Sequence, residues 1–351
     1  MKKIAFSILL PIIFLSTFAR TGFPGEKTIA AGKQPQISSD AKGVIRIVYG
    51  QEDKIFCVTS VDQGSNFSEP VLVAQVPLMH LGMTRGPQLA SSADFSVITA
   101  MDKNGNIHWF RLDHSTNQWT SMGTINDELN SAPEGLMALT ADKTNHFYAV
   151  WLNLGSKKHS EIYFSDLKGK SVRWSKNKLL YHSPDSHVCE CCKPGIAVQG
   201  AEVAVMFRNW LNGSRDLYLM KSLNNGKTFA AAQKLGRGTW KLDGCPMDGG
   251  GILINPSAKI KTVWQRKGTV YFCEQGQPEW KLEDGKACSI SGTKGREVVT
   301  YQQKDTVKLI TLKDKKTQIV GKGGFLQSQV LEGDKILCVW EQDNKIMFRE
   351  I

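Results

Sequence analysis

The alternation of apolar and polar side chains along the chain is that of short strands, and no stretch holds a 3.6-residue period between helix caps. Short apolar runs ending on an aromatic or bulky residue recur at Val48-Tyr49, Ala100-Met101, Val150-Trp151, Met206-Phe207, Val263-Trp264, Thr300-Tyr301 and Val339-Trp340. Their spacings are 52, 50, 56, 57, 37 and 39 residues. A second series, Phe67, Trp119, Trp174, Phe229 and Trp280, keeps step at 52, 55, 55 and 51. Two independent series with one spacing mark an internal repeat. In one unit the pattern predicts strands over Gly195 to Val198, Glu202 to Phe207, Asp216 to Lys221 and Ala231 to Leu235, with β-branched and aromatic residues between Gly, Asn and Asp turns.

Units of four strands and about 40–55 residues predict an all-β fold, a β-propeller of four-stranded antiparallel blades. Six units begin near Pro35, Gly86, Pro133, Pro194, Pro246 and Ala287, and a seventh near Gly324 has only three strands before the chain ends. A seven-bladed ring is favoured over a six-bladed one with irregular ends, and the extended piece Thr28-Ile29-Ala30 is expected to supply the missing outer strand. The expected organisation is therefore a signal peptide at 1–19, a closing segment at 20–34 and the propeller at 35–351.

The signal reading rests on Lys2 and Lys3, the apolar run Ile4 to Phe18 and the small Ala19. The run is short of the roughly 20 residues a bilayer span requires, Pro11 interrupts it and no later stretch replaces it. The mature protein is expected to be exported, to the periplasm or beyond, without a stable membrane span. Composition agrees with an ordinary folded protein, at 351 residues, 41% hydrophobic and 22% charged. The net charge of +11 is spread over scattered lysines such as Lys157, Lys158, Lys168, Lys170, Lys313, Lys315 and Lys316. Without interleaved aromatics this argues against a nucleic-acid partner.

Two turns between third and fourth strands share a motif, Ser60-Val61-Asp62-Gln63-Gly64-Ser65-Asn66-Phe67 and Ser222-Leu223-Asn224-Asn225-Gly226-Lys227-Thr228-Phe229. Their Ser and Asp/Asn side chains suit local backbone hydrogen bonds and their glycines a positive φ. This motif resembles the Asp-box of sialidase-like propellers, with Ser165-Asp166, Gly169 and Trp174 as a degenerate copy. The resemblance implies the fold, and an Asp-box itself is structural. A sialidase site also needs three arginines, a tyrosine nucleophile activated by a glutamate, and an aspartic acid/base. Here Arg46-Ile47-Val48 departs from that family's early Arg-Ile-Pro. Arg85, Arg208, Arg215 and Arg266 are expected in loops at the channel mouth, either gripping an anion or pairing with Asp216 and Asp248. Tyr301 is the weak candidate for the nucleophile.

Export gives the eight cysteines weight, because free thiols are unusual in an oxidising compartment. In a propeller the loops leading into each innermost strand converge on one rim. They bring Met79, His80, Met83 and Arg85 from the second unit, and His182, His187, Cys189, Cys191 and Cys192 from the fourth. The fifth contributes Trp240, Cys245, Met247 and Asp248, and the sixth Cys288. Three readings compete: copper or zinc held by His187, Cys189, Cys191, Cys192, Cys245 and Met247; a disulfide from Cys245 to Cys189 or Cys191; or a redox-active thiol pair. Cys57, Cys273 and Cys338 read as small core residues or a further bridge. The order Cys-x-Cys-Cys, then Arg208, Arg215 and Asp216, then Trp240, Cys245-Pro246, Asp248 and Gly249, resembles an exported bacterial group of sialidase-like proteins. The leading expectation is a metal- or ligand-binding mouth, Arg208 and Arg215 holding a small anion or glycan and Trp240 offering a stacking face. The alternatives are a sialidase-type glycosidase and an interaction scaffold pinned by disulfides.

Overall fold

The computed structural model describes residues 23–154, 159–293 and 295–351; the expected export signal lies outside them. The strands form seven antiparallel sheets of four strands each. The first strands of the blades are Lys33–Ser39, Gln88–Ser91, Met137–Ala141, Gly195–Gln199, Gly251–Ile254, Lys286–Thr293 and Gly324–Val330. Each lies against the first strand of the next blade, and the last against that of blade 1, so together they wall a central channel. The fold is a seven-bladed β-propeller.

The second strands explain the repeat visible in the sequence. Packed between neighbouring blades, they are covered on both faces; every residue of His146–Asn153 is buried. A strand buried on both faces reads as an unbroken apolar run. Fourth strands such as Gln118–Thr124 are largely exposed and leave a weaker trace. The aromatics of the second series fill gaps between blades: Phe67 meets Phe348 of blade 7 at 5.1 Å, Trp174 meets Trp109 of blade 2 at 5.9 Å, and Phe229 meets Phe164 of blade 3 at 5.2 Å. Trp280 differs, packing on Phe272 of its own blade at 5.1 Å.

Blade 7 contributes three strands from the end of the chain and takes its outermost one from the beginning. Lys27–Ala31 pairs antiparallel with Lys345–Glu350, with Thr28 opposite Met347 and Ala30 opposite Ile346. From there the chain passes through Gly32 into blade 1. A Cβ on Gly32 would sit 2.4 Å from the Tyr49 ring, so the crossing needs glycine.

In blade 4 the structure departs from the sequence reading. The second and third strands run on to Glu202–Leu211 and Ser214–Ser222, joined by Asn212-Gly213 with φ of 50° and 72°. Two successive positive φ values are the hairpin turn that Asn-Gly favours. Arg208 and Arg215 therefore lie in strands, opposite Leu217 and Trp210, and not in the loops expected for them. Arg266 is likewise the last residue of the strand Ile260–Arg266.

Candidate functional site

The segment before blade 4 is tied down by its backbone. Val188 N donates to Ser160 O at 3.1 Å, Cys189 N to Arg208 O at 2.9 Å and Cys192 N to Cys189 O at 3.3 Å. The segment before blade 5 approaches so closely that a Cβ on Gly249 would meet the Lys193 carbonyl oxygen at 1.8 Å, a distance only glycine permits. This contact brings Cys245 to the Cys-x-Cys-Cys loop. Cys191 and Cys245, 54 residues apart, are joined in a disulfide with Cα atoms 6.2 Å apart. Cys189 and Cys192 are free and buried. Their Sγ atoms are 3.4 Å apart, and the Cys191 sulfur lies 3.7 Å from Cys189 and 4.0 Å from Cys192.

Arg215 organises the charge here. Its Nη1 donates to Cys189 Sγ at 3.0 Å, its Nε to Leu242 O at 3.3 Å, and its guanidinium covers the Trp210 ring at 4.5 Å. The Cys192 hydrogen bond, together with the Arg215 and Arg208 charges, outweighs burial and holds the Cys189 thiol below the ordinary thiol range. Burial pushes its neighbour Cys192 well up. The two buried thiols are thus shifted in opposite directions, and the thiolate is favoured at Cys189 over Cys192. The sulfur spacings suit a metal: four thiolates about 2.3 Å from zinc form a tetrahedron with edges of about 3.8 Å.

Other candidate residues are placed differently. His187 is absent from the three-sulfur group; its ring stacks between His159 at 4.9 Å and Trp210 at 5.7 Å, with a buried Nδ1 that has no partner among the described residues. Met247 lines the channel. Arg208 is 2% exposed and donates to the carbonyls of Asp248, Arg215 and Gln265, so its donors serve the backbone. Trp240 is buried beneath Arg208, 5.4 Å from ring to guanidinium, and its backbone N–H donates to Asp216 Oδ1; that ring face is covered. The Asp248 carboxylate accepts Gly250 N and Ala287 N and ties blade 5 to blade 6; burial raises its pKa. Arg85 donates to Glu134 O at 2.6 Å. Arg266 pairs with Glu279 at 3.0 Å over the Tyr271 ring. Tyr301 is buried in the core beside Val263 and Phe272, and burial pushes its phenol up to about 12. Arg85, Arg266 and Tyr301 thus have separate partners and share no hydrogen bond or ion pair among the described residues. Cys57, Cys273, Cys288 and Cys338 are free and buried; Cys288 sits in the first strand of blade 6, which begins at Lys286, and lines the channel cavity with Met247 and Asp248. Of the second unit's residues, Met79 is buried in the core, His80 bonds Pro133 O and Met83 is exposed.

One residue was missed. Lys193 follows the cysteine loop and points into the channel, where a cavity of about 220 Å³ is lined by Gln34, Gln36, Gln88, Gln327 and Met247 among others. Its ammonium donates to Gln88 Oε1 of blade 2 at 2.5 Å, and burial pushes it down to about 8. Its place two residues ahead of an innermost strand was the available signal.

No protein family and no curated protein matches the sequence. Similar solved structures include an ulvan lyase of a polysaccharide lyase family, at TM-score 0.56 and 10% identity over 92% of this chain and 94% of that one. The six-bladed lectin of Aleuria aurantia gives 0.53 and 11% over 85% and 98%. The intramolecular trans-sialidase of Ruminococcus gnavus gives 0.48 and 11% over 91% and 94%. At such identities the first two show a shared propeller fold and leave the activity open.

Proposed function

We propose that this chain is an exported propeller of the Asp-box kind that binds a soft metal ion, zinc or copper(I), at its channel mouth. The observation carrying this reading is the trio of Cys189, Cys191 and Cys192 sulfurs with mutual separations of 3.4–4.0 Å. In the reduced chain these three would hold the ion and Cys245 would complete the set; soft thiolates select zinc and copper(I) over hard cations. Arg215 positions Cys189 and offsets part of the thiolate charge. Export is supported by the Lys2 to Ala19 pattern and by a disulfide, which oxidising compartments favour. The Asp-box reading is supported by the Ser60 and Ser222 turns, in which the serine hydroxyl accepts Gly64 N at 2.9 Å and Gly226 N at 3.0 Å.

Metal analysis of the reduced protein is expected to give one zinc or copper(I) per chain. Cys189→Ser and Cys192→Ser each weaken binding by at least about tenfold, as loss of even an outer-shell partner does elsewhere. Reduced protein that leaves a competing chromophoric chelator fully loaded rules the site out.

The channel favours a second reading, a small anionic or glycan ligand, because the Lys193 ammonium has no carboxylate partner among the described residues. The ulvan lyase was solved bound to a GlcA(1-4)Rha3S unit, and the lectin structure concerns fucose recognition. Titration calorimetry with glucuronate and fucose tests this. Heat with glucuronate that disappears in Lys193→Gln supports it, and no heat with either sugar removes it.

A further inference from the structure

The four mouth sulfurs differ in what they expose and in what they are bonded to. Cys189 and Cys192 are buried, Cys191 is half-buried and Cys245 is exposed. Cys245 is thus the most exposed residue of the four, and it is the member bonded to Cys191. A metal ligand must be a thiolate, and a sulfur tied in a disulfide is not one. With the disulfide closed, Cys189 and Cys192 are the only thiols left in the group. With it open, all four sulfurs are available on one rim.

We propose that Cys191–Cys245 is an exchangeable disulfide that gates the metal site, opened by a small dithiol from the solvent side through Cys245. This rests on the metal reading above and adds its regulation. One thiolate of the dithiol attacks Cys245 Sγ, the Cys191–Cys245 bond breaks, and Cys191 leaves as a thiolate that takes up a proton. The second thiol of the reductant then attacks its own sulfur in the mixed disulfide. Cys245 departs as a thiol, and the reductant is released as a cyclic disulfide. Two electrons and two protons have passed to the protein. Attack at Cys245 is favoured by that residue's exposure, and expulsion of Cys191 by the Arg215 guanidinium bonded to Cys189, whose sulfur lies 3.7 Å from that of Cys191, since a stabilised leaving thiolate departs faster.

Linkage follows. An ion that binds only the open form pulls the disulfide equilibrium toward reduction, by about 100-fold when the ion stands at 100 times its dissociation constant. Conversely, oxidation expels the ion.

The experiment uses the full chain, with zinc as the probe, and reads native mass, bound zinc and thiols titrated after denaturation. Oxidised protein is expected to titrate six thiols and bind no zinc at the mouth; after dithiol treatment it titrates eight and binds one ion. Zinc is expected to lower the dithiol concentration needed for half-opening. Cys245→Ser, and Cys245→Ala as a check on folding, bind zinc without reductant, more weakly than the reduced wild type. If oxidised wild type binds zinc as tightly as reduced protein, the gate is wrong while the metal site stands. If zinc binds to neither reduced wild type nor the Cys245 variants, the metal reading has failed and the gate falls with it. A disulfide that resists excess dithiol in the folded protein overturns the gate on its own.

Discussion

At the scale of single residues, buried polar contacts set the costs. The Glu279 carboxylate is 7% exposed and accepts Arg237 N at 2.5 Å, Gly238 N at 2.7 Å and Arg266 Nη1 at 3.0 Å. Burial raises its pKa, but these donors outweigh burial and bring it to about 2. A carboxylate whose folded pKa is depressed stabilises the fold above its unfolded value, and that contribution is lost as pH falls toward the folded one. Glu279→Gln is therefore expected to cost about 2–3 kcal/mol at pH 7. It also flattens the loss of stability between about pH 4.5 and 2, read from urea melts at several pH values. Equal slopes for variant and wild type would refute the assignment. Gly226 makes a second case, with φ of 74° and a virtual Cβ 2.6 Å from the Phe164 ring. Gly226→Ala adds left-handed strain to a clash with an inter-blade aromatic, and about 2 kcal/mol of destabilisation is expected in the same melts.

At the scale of elements, arginine joins blades. Arg208 sits on the second strand of blade 4 and donates to Asp248 O, ahead of blade 5, and to Gln265 O on blade 5's second strand. Arg208→Met keeps the apolar stem but leaves buried carbonyls without donors, each costing about 1–3 kcal/mol. A loss of about 3 kcal/mol is expected, with hydrogen exchange rising first around residues 246–254. Exchange that rises uniformly over all blades would show that Arg208 does not act as a local rivet. The same contacts explain what the sequence could not disclose. An arginine near a channel mouth has the same letter whether its guanidinium faces solvent or the carbonyls of the adjoining blade. The choice depends on where the Asn212-Gly213 hairpin carries its strand. Trp240 is the same case, since its ring is covered by a side chain 32 residues earlier.

At the scale of the whole molecule, stability depends on closure. The strand Lys27–Ala31 covers the outer edge of Lys345–Glu350, and without it that edge offers an unpaired ladder for another chain. Removing residues 23–31 is expected to lower the melting temperature and make it fall further with protein concentration as light scattering rises. An unchanged melt would mean that the ring does not depend on its borrowed strand. Because strands 319 residues apart must meet, as at Thr28 and Met347, the pairing is highly non-local, and refolding is expected to be slow.

The repeat, the all-β class and the number of blades were legible in the sequence because second strands are buried on both faces and must be apolar in every blade. That periodicity also put Cys189, Cys191 and Cys192 on the same rim as Cys245, since equivalent positions of adjacent blades are neighbours in a ring. Tertiary structure alone decided which cysteine takes Cys245, which sulfurs stay free and which arginine reaches Cys189. Those choices depend on a close approach at Gly249 and on side-chain directions within a few ångströms. A repeat carries information about the positions of backbone segments; how their side chains point is settled only when two blades pack.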